Sequence, residues 1–343
     1  MIKYLIPFMT AFGSSVVLFF LAIEAAKKLK WRGRKSGRHI HREGVSRIGG
    51  LVMVAVFNGV ILLNRDLFIT PELYGFMLAT ILLLMVGIWD DFKEVFWKIQ
   101  LFSQIALAVF VFVMGVRIYY VTNPLTGGII QLDMGMGIIF SVALVIFWIV
   151  AVINALNWSD GIDGLAGGIA LITVLTIFFL SLRPEVNQPP IAILSAILAG
   201  TILGFLVFNF HPSKVLAGTS GAAFMGFSLA VLAIFAGTKI ATALLVLAIP
   251  VIDSLWVIGE RIRNKKSIFK PDKNHLHYKL MELGWSQRKI VFCFWSVTAA
   301  IAAISLNTRF IGKSITLVLT AIIMVAVLVL INKKISRLRK NSK

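Results

Sequence analysis

Eleven long apolar runs, separated by short polar stretches, constrain this chain more than any other feature. They lie near 4–26, 48–64, 73–89, 99–116, 137–156, 164–183, 190–209, 221–237, 240–258, 290–306 and 313–332. Runs of this length match the roughly 20 apolar residues that a helix needs to cross a bilayer. In lipid the backbone must satisfy its own hydrogen bonds, so such runs read as helices. The expected fold is therefore an all-α, polytopic transmembrane bundle of about eleven helices. It would be ten if the eighth and ninth merge, since only Gly237, Thr238 and Lys239 divide them. Composition agrees: 59% of the 343 residues are hydrophobic and 14% charged, against about 25% charged in soluble chains. The first run is too long for a signal-peptide core and has only Lys3 before it, so it is expected to be retained. Between the runs no soluble stretch is long enough to fold alone, so 1–343 is read as one integral-membrane domain. A single cysteine, Cys293, excludes an internal disulfide and a cysteine metal cluster.

The net charge of +19 would suggest nucleic acid in a soluble protein. Here it follows the loops instead. Segments 27–47, 90–98, 157–163, 210–220, 260–289 and the tail after 332 hold 27 of the 34 lysines and arginines. The positive-inside rule places that set in the cytoplasm, the N-terminus outside and the C-terminus inside. Membrane lipids are expected partners and nucleic acid is not. On the other side only 117–136 is long, and its Thr-Asn-Pro-Leu-Thr-Gly-Gly reads as the turn of a small hairpin.

The acidic residues gather at the basic side. Asp90 and Asp91 end the third run. Asn154, Asn157, Asp160 and Asp163 follow the fifth, with Gly161 and Gly164 supplying tight turns. Hard oxygen donors at this density suit Mg²⁺, which takes one or two carboxylates and leaves room for phosphate oxygens. Cations lie on the same side: Arg38, His39, Arg47, Lys98, Lys214, His275 and His277. A diphosphate needs such cations, and a metal needs such carboxylates. His275 and His277 are two residues apart, so they read as phosphate donors from a turn rather than a zinc pair.

Together these pieces resemble a known family. They are Arg-His-Ile-His-Arg with Arg47-Ile-Gly-Gly; Gly87-Ile-Trp-Asp-Asp with Lys98 and Gln104; Asn154 to Gly168; Asn209-Phe-His-Pro-Ser-Lys; Pro250-Val-Ile-Asp; and Pro271-Asp-Lys-Asn-His-Leu-His-Tyr. Their order over about 38–288 is similar to that of the polyprenyl-phosphate N-acetylhexosamine-1-phosphate transferases of glycosyltransferase family four. The resemblance implies a Mg²⁺-dependent enzyme of the bacterial inner membrane, with Mn²⁺ as an alternative ion. Its active site would face the cytoplasm. It would move a sugar-1-phosphate from a UDP-N-acetylhexosamine to undecaprenyl phosphate and release UMP, as a first step of cell-envelope polysaccharide synthesis. His275-Leu-His277-Tyr278 is nearest the branch that transfers N-acetylglucosamine-1-phosphate.

On that reading Asp90, Asp91, Asp160 and Asp163 are the catalytic acids, and Asn157 with Asp160 hold metal. Arg38, His39, Lys98, Asn154, Lys214, His275 and His277 bind substrate. One departure stands out: Thr219 occupies the position where the family carries a metal-binding aspartate, which leaves an impaired member open. The rival from another class is a transporter or lipid flippase. Such proteins place ionisable groups near the midplane on broken helices; here only Asp253 does so. A homodimer is left open.

Overall fold

The computed structural model describes residues 1–28, 45–122, 128–236, 240–267, 274–308 and 310–341. Among them run thirteen helices: α1 (Ile2–Lys28), α2 (Gly49–Leu63), α3 (Pro71–Phe92), α4 (Trp97–Val113), α5 (Gly137–Ser159), α6 (Leu165–Ser181), α7 (Pro189–Asn209), α8 (Gly218–Phe235), α9 (Ile240–Val246), α10 (Ala248–Arg263), α11 (Leu276–Glu282), α12 (Gln287–Asn307) and α13 (Phe310–Asn341). Two of them start on a side-chain cap. Thr70 Oγ1 accepts Leu73 N–H at 3.3 Å ahead of Pro71, and Ser286 Oγ accepts Lys289 N–H at 3.4 Å.

All eleven apolar runs fall on helices, and the protein is an all-α, multi-pass membrane protein. Among the described residues seven helices are long and apolar enough to cross a bilayer, and the α9–α10 pair makes an eighth if taken as one span. The helices α2, α4 and α6 are apolar but have 15, 17 and 17 residues. At 1.5 Å per residue they fall a few ångströms short of a core about 30 Å thick.

The ninth run departs from the expectation of one straight helix. It bends by 74° between α9 and α10. Pro250 explains the break: its ring cannot sit inside a continuous helix, but it is tolerated in the first turn of a new one. Beyond the bend α10 packs against α5 and α13. The short helix α11, with its own basic residues, was not foreseen from the hydropathy pattern.

At the centre stands α8, nine-tenths buried, packed among α2, α3, α5 and α6. The outer helix α1 lies along α7 where Gly200 and Gly204 leave room. A methyl group on either would come within 2.3 Å of Phe8 O or 2.4 Å of Ser15 Cβ. Small residues let helix backbones approach in lipid, where apolar burial alone gives no preference for one helix over another. At the bundle end opposite the acids, β1 (Tyr120–Thr122) and β2 (Ile129–Gln131) pair antiparallel, with Tyr120 opposite Gln131. This is the hairpin that the turn residues predicted.

Candidate functional site

The site is organised around the segment from His211 to Ser220, which joins α7 to α8. Two buried carboxylates hold it from either side. Asp163 Oδ2 accepts His211 Nδ1–H at 2.8 Å and Ser213 N–H at 3.1 Å. Asp91 Oδ1 accepts Thr219 N–H at 2.8 Å, and its Oδ2 accepts Ser220 Oγ–H at 2.7 Å and Ser220 N–H at 3.2 Å. Asn209 completes the clasp, accepting Gly164 N–H and donating to Val215 O, both at 2.9 Å. Gly218 has φ +70°, and a methyl group there would sit 2.5 Å from Asp91 Oδ2. Only glycine meets both demands.

The same segment seats Arg47. Ser46 pairs in parallel with Val215, and Gly49 and Gly50 donate to Leu216 O and Ala217 O at 3.1 and 3.2 Å. A methyl group on Gly49 would lie 2.5 Å from Leu216 O, so the glycine pair lets these backbones meet. Arg47 Nη1 then lies 3.8 Å from Asp91 Oδ1 and also faces an open cavity.

That cavity has a volume of about 2280 Å³. Arg47, Asp90, Asn154, Asn157, Asp160, Thr219 and His275 form its polar end. Leu101, Ile105, Leu144, Phe147 and Ala151 carry its wall along α4 and α5 as an apolar surface. Asp90 accepts Val95 N–H at 2.9 Å and Gln100 Nε2–H at 2.8 Å on Oδ1, and Thr219 Oγ1–H at 2.6 Å on Oδ2. Asn154 donates to Gln104 Oε1 at 2.7 Å and to Val150 O at 2.8 Å. Burial raises the Asp160 carboxyl well above the usual carboxylate range; Arg47 opposes the rise, and Asp91 and Asp163 add to it. A carboxylate so placed gains from a nearby cation.

On the opposite wall is α11. His275 Nδ1 lies 2.8 Å from Asp253 Oδ2, and Leu276 N–H donates to Asp253 Oδ1 at 2.8 Å. The rings of His275 and His277 are parallel, 5.8 Å apart, and Trp158 lies 6.0 Å from His275. His277 is buried against the turn after α5: a methyl group on Gly161 would be 2.3 Å from its Nε2. Burial pushes the His277 imidazole down to about 3; Asp253 resists the change and His275 adds to it.

The structure thus brings Asp90, Asn154, Asn157, Asp160, Thr219 and His275 to one cavity. It sets Asp91 and Asp163 behind the wall, each about 95% buried, gripping backbone rather than facing the open space. His277 stands behind His275. Lys98 and Lys214 are exposed and outside the cavity wall; Lys98 Nζ lies 5.7 Å from the Trp97 ring centre. Arg38 and His39 lie outside the described residues. Asp253 escaped the sequence-based set of site residues, as did Gln100, whose amide holds Asp90. An acid inside an apolar run was the available signal for Asp253.

For a divalent ion the donor chemistry fits Mg²⁺ in a sparse form. Asn157 and Asp160, which carry oxygen donors, line the cavity with Asp90. Among the described residues no three His, Cys, Asp or Glu side chains form a metal cage. Mg²⁺ needs no such cage, because it is held through one or two carboxylates with waters and substrate phosphates.

A family model for glycosyl transferase family 4 matches residues 73–237. The chain is 28% identical over 348 residues to "Probable undecaprenyl-phosphate N-acetylglucosaminyl 1-phosphate transferase" of Bacillus subtilis, covering 97% of this chain and 94% of that one. It is 33% identical over 324 residues to the decaprenyl-phosphate N-acetylglucosaminephosphotransferase of Mycolicibacterium smegmatis, covering 85% and 79%. It is 32% identical over 326 residues to the phospho-N-acetylmuramoyl-pentapeptide-transferase of Halalkalibacterium halodurans, covering 88% and 96%. With identity above 30% over more than two thirds of such relatives, the chain belongs to glycosyl transferase family 4.

Proposed function

We propose that this protein transfers N-acetylglucosamine-1-phosphate from its UDP-sugar to a polyprenyl phosphate, undecaprenyl phosphate in bacteria, and releases UMP. The observation that carries this reading is one cavity with two chemistries: a polar end bearing Asp90, Asp160, Arg47 and His275, and an apolar wall along α4 and α5. The polar end suits a diphosphate, and the wall suits an isoprenoid chain. The names of the Bacillus and Mycolicibacterium relatives point to the same sugar.

In this reading an oxygen of the lipid phosphate attacks the β-phosphorus of the UDP-sugar in line. The bond from that phosphorus to the bridging oxygen breaks, and UMP leaves. Two anions must meet, so their repulsion is the first barrier. Arg47 and His275 offset it from opposite walls. Asp90, held by Val95, Gln100 and Thr219, faces the entering phosphate and can accept its proton. Asn157 and Asp160 would hold Mg²⁺. When bound, that ion would supply charge neutralisation at the phosphate oxygens. Asn154 contacts substrate from α5, while Asp91 and Asp163 keep the wall rigid. The site faces the cytoplasm of the inner membrane, where nucleotide sugars are available.

Purified protein offered undecaprenyl phosphate, Mg²⁺ and several UDP-sugars should release UMP only when lipid and UDP-N-acetylglucosamine are both present. Absence of UMP with every sugar would overturn the reading. Thr219→Asp, assayed beside it, replaces the hydroxyl that donates to Asp90 by a carboxylate. It should lower the Mg²⁺ concentration needed for half-maximal rate by about tenfold, since another oxygen ligand then faces the cavity. An unchanged requirement would remove Thr219 from the ion site.

A further inference from the structure

Asp253 is 4% exposed, in a run that carries no other charged residue. A carboxylate in such surroundings needs strong partners, and it has two on consecutive residues. Its Oδ2 meets His275 Nδ1, and its Oδ1 meets Leu276 N–H, each at 2.8 Å. An ionised carboxylate only accepts hydrogen bonds. His275 Nδ1 must therefore carry hydrogen, which leaves Nε2 as the ring atom available to a partner in the cavity that His275 lines. The other groups beside the ring are His277, stacked on it, and Trp158. One side chain thus fixes both the imidazole and the backbone from which it hangs. Two turns along the same face of α10, Glu260 accepts Lys279 Nζ of α11 at 3.2 Å and Asn332 Nδ2 of α13 at 2.8 Å, so α10 holds α11 at a second point.

Resting on the transferase reading, we propose that Asp253 is a positioning residue for phosphoryl transfer. It holds His275 with Nδ1–H turned inward, so that Nε2 meets the phosphate oxygens and can carry a second hydrogen toward them. The carboxylate balances the imidazolium charge that results. Asparagine has nearly the same shape but cannot do this. Leu276 N–H is an obligatory donor and takes the amide oxygen. The amide N–H₂ then faces Nδ1, which must turn into an acceptor, and the ring is held neutral with its hydrogen on Nε2.

Two measurements test this on the full chain in detergent. The first needs no turnover. The chain has five histidines, so ¹⁵N-histidine labelling with His275→Gln as the assignment control isolates one ring. Wild type should show a protonated Nδ1, and Asp253→Asn an unprotonated one. An unprotonated Nδ1 in wild type, or no change in the variant, overturns the proposal even if the protein proves not to be a transferase. The second is the UMP-release assay. Asp253→Asn should lower kcat by about 10–100-fold, while Asp253→Asn/His275→Gln should be no slower than His275→Gln alone. Losses that multiply would show that Asp253 does not act through His275. If Asp253→Asn fails to accumulate, Asp253→Glu replaces it. It remains an acceptor and should keep Nδ1 protonated and most of the rate; loss of that tautomer overturns the proposal.

Discussion

Two carboxylates of this site face the cavity and two turn their backs on it, although the four come as two sequence pairs. Asp90 and Asp160 line the open space; Asp91 and Asp163 are buried and bind the backbone between His211 and Ser220. The helix explains the first split. One residue along α3 is a rotation of about 100°, so neighbours in sequence cannot point the same way. The second pair lies in the tight turn after α5, outside regular helix, where residues three apart need not share a face. The contrast teaches that a paired-acid motif can combine two tasks. One acid of each pair lines the space for the ligand, and the other is buried against the backbone that forms the wall.

The largest expected effect tests the outward pair. Asp160→Asn keeps the size of the side chain and removes the carboxyl from the cavity wall. UMP release should fall by about 10²–10⁴-fold, while the melting temperature in detergent stays within a few degrees. Equal activity would show that the cavity-facing position carries no chemistry. Asp91→Asn should behave in the opposite manner. Asp91 receives two backbone N–H groups and one hydroxyl, and an amide cannot accept on both sides. Loss of charge-assisted bonds of this kind costs about 1.5–3 kcal/mol, read as a lower melting temperature and less protein in membranes. A stable but inactive Asp91→Asn variant would merge the two classes that the geometry separates.

Much of this was legible in the sequence, and for identifiable reasons. Hydropathy located every membrane helix, because lipid leaves the backbone no alternative to helix. The density of Asp and Asn after α5, opposite Arg47 and His275, marked the end of the bundle where the cavity opens. Direction was not legible. Nothing in Asp-Asp or Asp-Gly-Ile-Asp says which oxygen faces water, since that depends on contacts from residues over a hundred positions away, such as Thr219 with Asp90. Lys98 and Lys214, expected to bind substrate, are exposed and lie outside the cavity wall, where long ammonium side chains are readily solvated. Asp253 was visible as an anomaly but had no partner until the bend before Pro250 carried α10 against α11.

A smaller effect probes how the outward acid is held in place. Gly161 follows Asp160, and an added methyl group would meet His277 Nε2 at 2.3 Å and the Tyr278 hydroxyl at 2.6 Å. His277 is 1% exposed and has little room to retreat. Gly161→Ala should therefore push α11 away from the turn, costing about 1–3 kcal/mol of stability and about tenfold in UMP release as Asp160 and His275 separate. A variant with normal rate and stability would mean that the two walls do not depend on each other.

The smallest effect concerns the pH response of the same contact. Burial holds His277 neutral down to about 3, whereas an unfolded histidine takes a proton near 6.5. Between those values the unfolded chain binds the extra proton and the folded chain does not, so stability falls as pH drops from about 6.5 toward 3 and is unaffected by this group above 6.5. Asp160 acts with the opposite sign. Its raised carboxyl keeps a proton in the fold at pH values where the unfolded acid has lost it, so it favours the folded state on the acid side. The two groups partly cancel in wild type, and His277→Gln separates them. Melting temperatures at pH 7 and pH 4.5 should show a smaller acid loss for the variant than for wild type, because only the histidine penalty has been removed. Equal losses would place the acid-sensitive group elsewhere and would leave the inward histidine a packing residue alone.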